Sequence, residues 1–183
     1  MRIIAGDFRS RKLKTLEGEA TRPTSDRVKE AIFSSIGPYF DGGCVLDLFA
    51  GSGAIGLEAL SRGMSKAYFA DASSEAVRVI YDNIRTLNVE EHCTVWKMDF
   101  IQVLRKSMTL ELQFDLIYID PPYQKQENNL ILETIDVFDL LNHKGNIIVE
   151  SAVEDSFQEK YGRIKKIKEV VYGKVKITYY GKE

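Results

Sequence analysis

Short apolar runs alternate with amphipathic stretches over most of this chain, and that alternation predicts its elements. Val28, Ala31, Ile32, Ser35 and Ile36 fall on one face at helical spacing, and Gly37-Pro38 stops the helix. From Cys44 the rhythm changes. Val45-Leu46-Asp47-Leu48-Phe49 reads as a buried strand, and Gly51-Ser52-Gly53 as a tight turn into a helix that ends near Gly63. Ala67-Tyr68-Phe69-Ala70 is a second strand, closed by Asp71. Val77, Ile80, Tyr81, Ile84 and Leu87 mark an amphipathic helix. Thr94-Val95-Trp96-Lys97-Met98 is a third strand, followed by Asp99 and a short helix near Val103 and Leu104. Phe114 to Ile119 is the fourth strand, Leu130 to Leu141 a helix, and Asn146-Ile147-Ile148-Val149 the fifth strand.

Strands alternating with helices imply right-handed crossovers and a mostly parallel sheet covered on both faces. The end of the chain differs. Residues 164–171 and 174–180 read as two strands joined at Tyr172-Gly173, with Val175, Ile177 and Tyr179 alternating against Lys174, Lys176 and Thr178. The expected sheet therefore finishes in an antiparallel hairpin. At the other end, Met1 to Leu16 is a small hairpin or an extended arm. Pro23 disfavours helix at Arg22, and Thr24 or Ser25 can cap the helix that follows. A length of 183 residues fits one domain: an arm over residues 1–23 and a core over 24–183.

Composition narrows the class. Hydrophobic residues at 44% and charged residues at 28% exclude a disordered tail or a disulfide miniprotein. The longest apolar stretches are too short for a bilayer, and the start has no apolar segment before its first acid. Cys44 and Cys93 lack metal-ligand spacing and read as reduced packing thiols, so we expect a cytoplasmic protein without a metal site. The net charge is −2, but it is unevenly spread: +3 over residues 1–40, +5 over 163–183 and −10 between. Two basic ends around an acidic middle can mark a polyanion-binding face, or only an uneven solvated surface.

The candidate chemistry lies at the strand ends. In an open α/β sheet, ligands bind beyond the C-terminal ends of the strands at the switch point. The first turn there carries Asp47, Phe49, Ala50, Gly51, Ser52 and Gly53. Gly51, Gly53 and Gly56 also satisfy a dinucleotide fingerprint, a weak signal alone. Asp47 favours S-adenosylmethionine instead, because an acid inside the first strand suits an ammonium and not a pyrophosphate. Asp71, with Ala72 after it, can accept from ribose hydroxyls. Asp99 can accept from an adenine amino group, with Phe100 beside the ring. The spacing Asp47-x-Phe49-x-Gly51-x-Gly53 resembles motif I of class I S-adenosylmethionine-dependent methyltransferases. That resemblance implies a Rossmann-like, seven-stranded sheet whose last strand is antiparallel.

After the fourth strand comes Asp120-Pro121-Pro122-Tyr123, the most specific signal in the chain. It resembles the (D/N)-P-P-(F/Y/W) loop of methyltransferases that act on exocyclic or amide nitrogens. The lone pair of a base amino group is delocalised into its ring. The Asp120 carboxylate and the Pro121 carbonyl can accept its two N–H groups and localise that lone pair. The two prolines hold the carbonyl rigid, and Tyr123 offers a face on which an extruded base can stack.

The resemblance then extends over nearly the whole chain. Ile3-Ile4-Ala5-Gly6, Arg9-Ser10-Arg11-Lys12-Leu13, the run from Arg22 to Phe33 and the run from Phe49 to Gly63 are similar to the RsmD family. Where that family often has Arg-Gly and Phe-Asn, this chain has Arg9-Ser10 and Phe33-Ser34. The resemblance implies methylation of the N2 amino group of a guanine in 16S rRNA of the small ribosomal subunit, and places Arg22, Thr24 and Arg27 near cofactor and target; separately, we expect a monomer. Arg9, Arg11, Lys12 and Lys14 are candidates for RNA phosphate contacts. An adenine N6 target, a nucleotide-dependent oxidoreductase and a non-catalytic RNA-binding module stay open at this stage.

Overall fold

Each of the first five apolar runs lies parallel to its neighbours, because a helix carries the chain back to the same edge each time. Strands β1 (Cys44–Asp47), β2 (Lys66–Asp71), β3 (Cys93–Lys97), β4 (Phe114–Ile119) and β5 (Leu141–Ala152) alternate with α2 (Ala54–Ser61), α3 (Ser74–Leu87), α4 (Phe100–Thr109) and α5 (Lys125–Val137). Helix α1 (Asp26–Ile36) precedes them, and β6 (Lys160–Tyr161), β7 (Ile164–Tyr172) and β8 (Val175–Lys182) close the chain. The structure is a computed structural model and describes residues 1–17, 26–121 and 125–182. Its sheet runs β3-β2-β1-β4-β5-β8-β7-β6, with β8 antiparallel to both β5 and β7.

The expected Rossmann-like α/β architecture with its C-terminal hairpin is present, with one strand more than the seven expected. The extra strand is β6, two residues long, pairing Lys160 with Lys165 and Tyr161 with Ile164. A segment that short carries no alternation to announce it. The helices divide between the two faces. Residues of α1, α2 and α3 share a core with Val45, Phe69, Tyr118, Ile148 and Ile177. Residues of α4 and α5 share the other core with Leu46, Ile117, Ile119 and Val149.

Two details of the predicted faces shift. On α3 the buried set is Ala76, Ile80, Asn83, Ile84 and Leu87, and Tyr81 is exposed. On β8, Lys176 and Thr178 are as buried as their apolar neighbours, because this strand is central and covered on both sides. The Lys176 ammonium is satisfied by the Asp155 carbonyl.

The N-terminal segment is a hairpin. The Ile3 N–H donates to the Arg11 carbonyl at 2.9 Å and the Leu13 N–H to the Met1 carbonyl at 3.0 Å. It docks on Glu58, in the middle of α2. The Glu58 carboxylate accepts from the N–H groups of Ile4 at 2.9 Å and Ala5 at 3.1 Å. The same carboxylate pairs with Arg62 at 2.7 Å and Lys29 at 3.3 Å, and the Lys29 ammonium donates to the Arg2 carbonyl at 2.6 Å. Glu58 and Lys29 are fully buried and Arg62 is 3% exposed. Burial drives the Lys29 ammonium below the ordinary lysine range, with Glu58 pulling the other way.

Replacing Glu58 with Gln leaves two buried cations without their anion and should cost about 3–5 kcal/mol. Urea denaturation checks this. A loss under 1 kcal/mol would show the network to be dispensable.

Candidate active site

Parallel strands bring their C-terminal ends to one edge, and strand order sets which ends are neighbours. The order reverses between β1 and β4, so the switch point lies where Asp47 pairs with Phe69 on one side and Tyr118 on the other. The Leu48 N–H carries the pairing one step further, to the Tyr118 carbonyl at 3.1 Å. The glycine turn after β1 and Asp120 after β4 therefore leave neighbouring strand ends.

The turn is shaped by close packing. Gly51 and Gly53 take positive φ values of 53° and 79°, which favours glycine. A Cβ on Gly56 would stand 2.3 Å from the Phe69 ring, so this glycine lets α2 lie against β2. More telling is where the turn's N–H groups point. The Gly51 N–H donates to Asp71 at 2.9 Å, the Gly53 N–H to the Ala50 carbonyl at 2.6 Å, and the Gly56 N–H to Asp47 at 3.1 Å. A dinucleotide pyrophosphate needs such donors for itself. Here two carboxylates and a carbonyl already hold them, and an anion in this place would meet the carboxylates' charge. The site suits a ligand that carries a cation and hydroxyl donors, as the ammonium and ribose of S-adenosylmethionine do.

Asp47 is 2% exposed. Burial lifts its carboxyl to about 7, against the Gly56 hydrogen bond, which lowers it, while nearby Asp71 adds to the rise. Asp71 is half-buried and accepts also from the Ser73 N–H at 2.9 Å. Each of its oxygens keeps a lone pair for a ribose hydroxyl. Ala72 beside it is exposed. Asp99 is exposed and caps α4, accepting from the Gln102 N–H at 2.9 Å with one oxygen. The Phe49 and Phe100 rings meet at 5.9 Å between centroids, which joins the glycine turn to the end of β3. Ala50 and Ser52 are buried in the turn. The cofactor candidates thus come together along the ends of β1, β2 and β3.

On the β4 side, Asp120 and Pro121 are half-buried directly after the strand. Pro122 and Tyr123 lie outside the described residues, as do Arg22 and Thr24. Arg27 is exposed in the first turn of α1. The basic candidates of the hairpin divide into two kinds. The Arg11 guanidinium donates to the Thr86 carbonyl at 2.5 Å, and the Lys14 ammonium pairs with Asp82 at 2.8 Å. Both clamp the hairpin to α3. Arg9 and Lys12 are exposed.

Two features escaped the sequence pattern. Asn83, 1% exposed, exchanges hydrogen bonds with the Lys14 backbone at 2.8 and 3.0 Å and donates to the Ser52 carbonyl at 2.9 Å. It ties the hairpin to the glycine turn. A polar residue on the apolar face of α3 is the only trace it leaves in sequence. The second is Glu150, which accepts a hydrogen bond from the Tyr118 hydroxyl. It closes the last apolar run of β5 as Asp47, Asp71, Asp99 and Asp120 follow theirs, so the strand-end rule could have found it.

The family described as "Conserved hypothetical protein 95" matches residues 1–181. The chain is 40% identical over 182 residues to the Bacillus subtilis protein named "Putative rRNA methyltransferase YlbH", covering all of this chain and 99% of that one. It is 32% identical to ribosomal RNA small subunit methyltransferase D of Escherichia coli K12, over all of this chain and 90% of the other. The solved structure titled "Putative methyltransferase yhhF from Escherichia coli" superposes with a TM-score of 0.87 at 30% identity, over 100% of this chain and 98% of that one.

A cation beside Asp47 favours its ionised form, so ligand binding releases the proton that the carboxyl holds below pH 7. The affinity for S-adenosylhomocysteine, which keeps the ammonium, should rise about tenfold from pH 6 to pH 8. Calorimetric titration checks this, and Asp47→Asn should bind more weakly with a flat profile. An unchanged slope in that variant would remove the ammonium contact from Asp47.

Proposed function

The chain belongs to the RsmD family, and from that premise we propose that it transfers a methyl group from S-adenosylmethionine to the N2 amino group of a guanine in 16S rRNA, acting as a cytoplasmic monomer on the small ribosomal subunit. The observation that carries this reading is the switch point itself. A glycine turn with two of its N–H groups taken by carboxylates ends β1, and Asp120 and Pro121 follow β4, the strand beside it. The names of the relatives support an RNA target.

S-adenosylmethionine supplies a methyl group on a cationic sulfonium, an electrophile that needs no further activation. The chain's own residues then do two things. Asp47, Asp71 and Asp99 orient the donor through its ammonium, ribose and adenine. Asp120 and the Pro121 carbonyl accept the two N–H groups of the target amine, aim its lone pair at the methyl and fix the approach. The Asp120 carboxylate takes the proton that the amine loses. We assign the RNA contact to the hairpin and the strand-end loops. Arg9, Lys12 and Arg27 are the exposed cations assigned to phosphate. Arg11 and Lys14 act indirectly, by fixing the hairpin on α3.

The test is methyl transfer from labelled S-adenosylmethionine to small subunits from cells lacking the enzyme, with naked 16S rRNA and DNA alongside. Label as N2-methylguanine in the subunit is the expected result. Label only as N6-methyladenine would discard the guanine reading, and no label would leave an RNA-binding module. Asp120→Ala should abolish transfer while S-adenosylhomocysteine affinity stays within a few-fold. A large loss of that affinity in a folded variant would contradict the role given to Asp120. Changing Arg9 and Lys12 together to Ala should weaken RNA binding and flatten the slope of log K against log salt by about 0.7–0.9 per lost contact. An unchanged slope would move the RNA face elsewhere.

A further inference from the structure

The last parallel pair between β4 and β5 joins Ile119 to Val149. One residue further along each chain stand Asp120, the first residue past β4, and Glu150, still within β5; neighbouring strands lie about 4.8 Å apart. Glu150 is still held in the sheet, paired with Ile177 of β8. Tyr118 pairs with Ile148, and both belong to the core on the α1 side, with Ile177. Alternation puts Glu150 on that same side, where the Tyr118 hydroxyl donates to it. Glu150 is half-buried. The loop that receives the target amine thus has a second carboxylate beside it, oriented by a tyrosine.

We propose that Glu150 is the residue that selects guanine, accepting the N1–H that adjoins the N2 amino group, and that Tyr118 positions it. This rests on the guanine-N2 reading above. The chemistry discriminates sharply. Guanine presents two donors side by side on this edge, N1–H and N2–H. Adenine presents N6–H beside an N1 lone pair, which a carboxylate repels. Asp120 and the Pro121 carbonyl see an amino group in either base and cannot tell them apart. A carboxylate has about four acceptor positions, so Tyr118 and the base can be served together. A site built to meet a polar group rejects the analogue that lacks it far better than shape alone can.

The analogue that isolates this contact is 2,6-diaminopurine. It keeps the N2 amino group but carries an acceptor at N1. The position of the label is first mapped in the natural subunit. Subunits are then reconstituted with ligated 16S rRNA bearing guanine or diaminopurine there. The unaltered enzyme should prefer guanine about 100-fold in kcat/KM. Glu150→Gln should lower kcat/KM on guanine about 10- to 100-fold, leave S-adenosylhomocysteine affinity unchanged, and bring the two substrates within a few-fold of each other. Its amide can turn a donor toward the diaminopurine N1. Tyr118→Phe should shift the preference in the same direction by a smaller factor. Equal use of both bases by the unaltered enzyme would overturn the proposal, even if the Gln variant fails to fold. So would a Gln variant that retains the guanine preference. No label in guanine from the unaltered enzyme would overturn the parent function, and this role with it.

Discussion

Helix α2 is buried along its whole length, and the two carboxylates that hold it decide where the rest of the molecule goes. At its start, Asp47 of β1 takes the Gly56 N–H and fixes the helix against the strand. From its middle, Glu58 gathers Lys29 from α1, Arg62 from the cap that follows α2 and two N–H groups of the hairpin. A buried anion tolerates no half-measure: it must find its cations and donors, or the fold pays its desolvation. The consequence is positional. The hairpin, α1 and the glycine turn are all placed relative to one helix, and so relative to each other.

Electrostatics divides the molecule differently from its sequence. The basic C-terminal segment looked like half of a polyanion-binding surface, but much of its charge is spent internally. Lys166 pairs with Glu159 and Glu169, Lys182 and Arg163 with Asp139, and Lys176 with Glu169, its ammonium also donating to the Asp155 carbonyl. Those bonds hold β7 and β8 to the loops around them. Four acids of the middle segment, Asp47, Asp71, Asp99 and Asp120, in contrast stand at the C-terminal ends of the parallel strands. Such an edge repels phosphate and welcomes a cationic ligand, and this sets an S-adenosylmethionine site apart from a dinucleotide site that shares its glycines.

The strand ends were legible because parallel topology makes a residue's place in its own strand equivalent to its place at the edge. Asp47, Asp71, Asp99 and Asp120 each follow an apolar run, and the runs gave the sheet. Pairing across elements was not legible. Glu58 lies in an apolar helix with nothing local to announce Lys29, 29 residues earlier in the chain. Asn83 breaks an apolar face, which periodicity records as a flaw and not as a tie to Lys14 and Ser52. Arg11 and Lys14 read as solvated cations until α3 is seen beneath them. Strand β6 is too short to register at all.

Asp47 shows how the site's chemistry is charged against stability. Its carboxyl is raised from 3.8 to about 7, chiefly by burial. The folded chain therefore holds a proton that the unfolded chain has released across that interval. The sign follows: the favourable share is full below the unfolded value, declines as pH climbs through the interval and is gone above about 7. At neutral pH the ligand-free protein thus bears the cost of a nearly buried, half-ionised acid that an Asn would avoid. A bound ammonium reverses the balance, since it favours the charged form in a place where water cannot. Under the function proposed above, the acid that weakens the empty fold is the one that meets the ligand's ammonium, so binding offsets what burial costs.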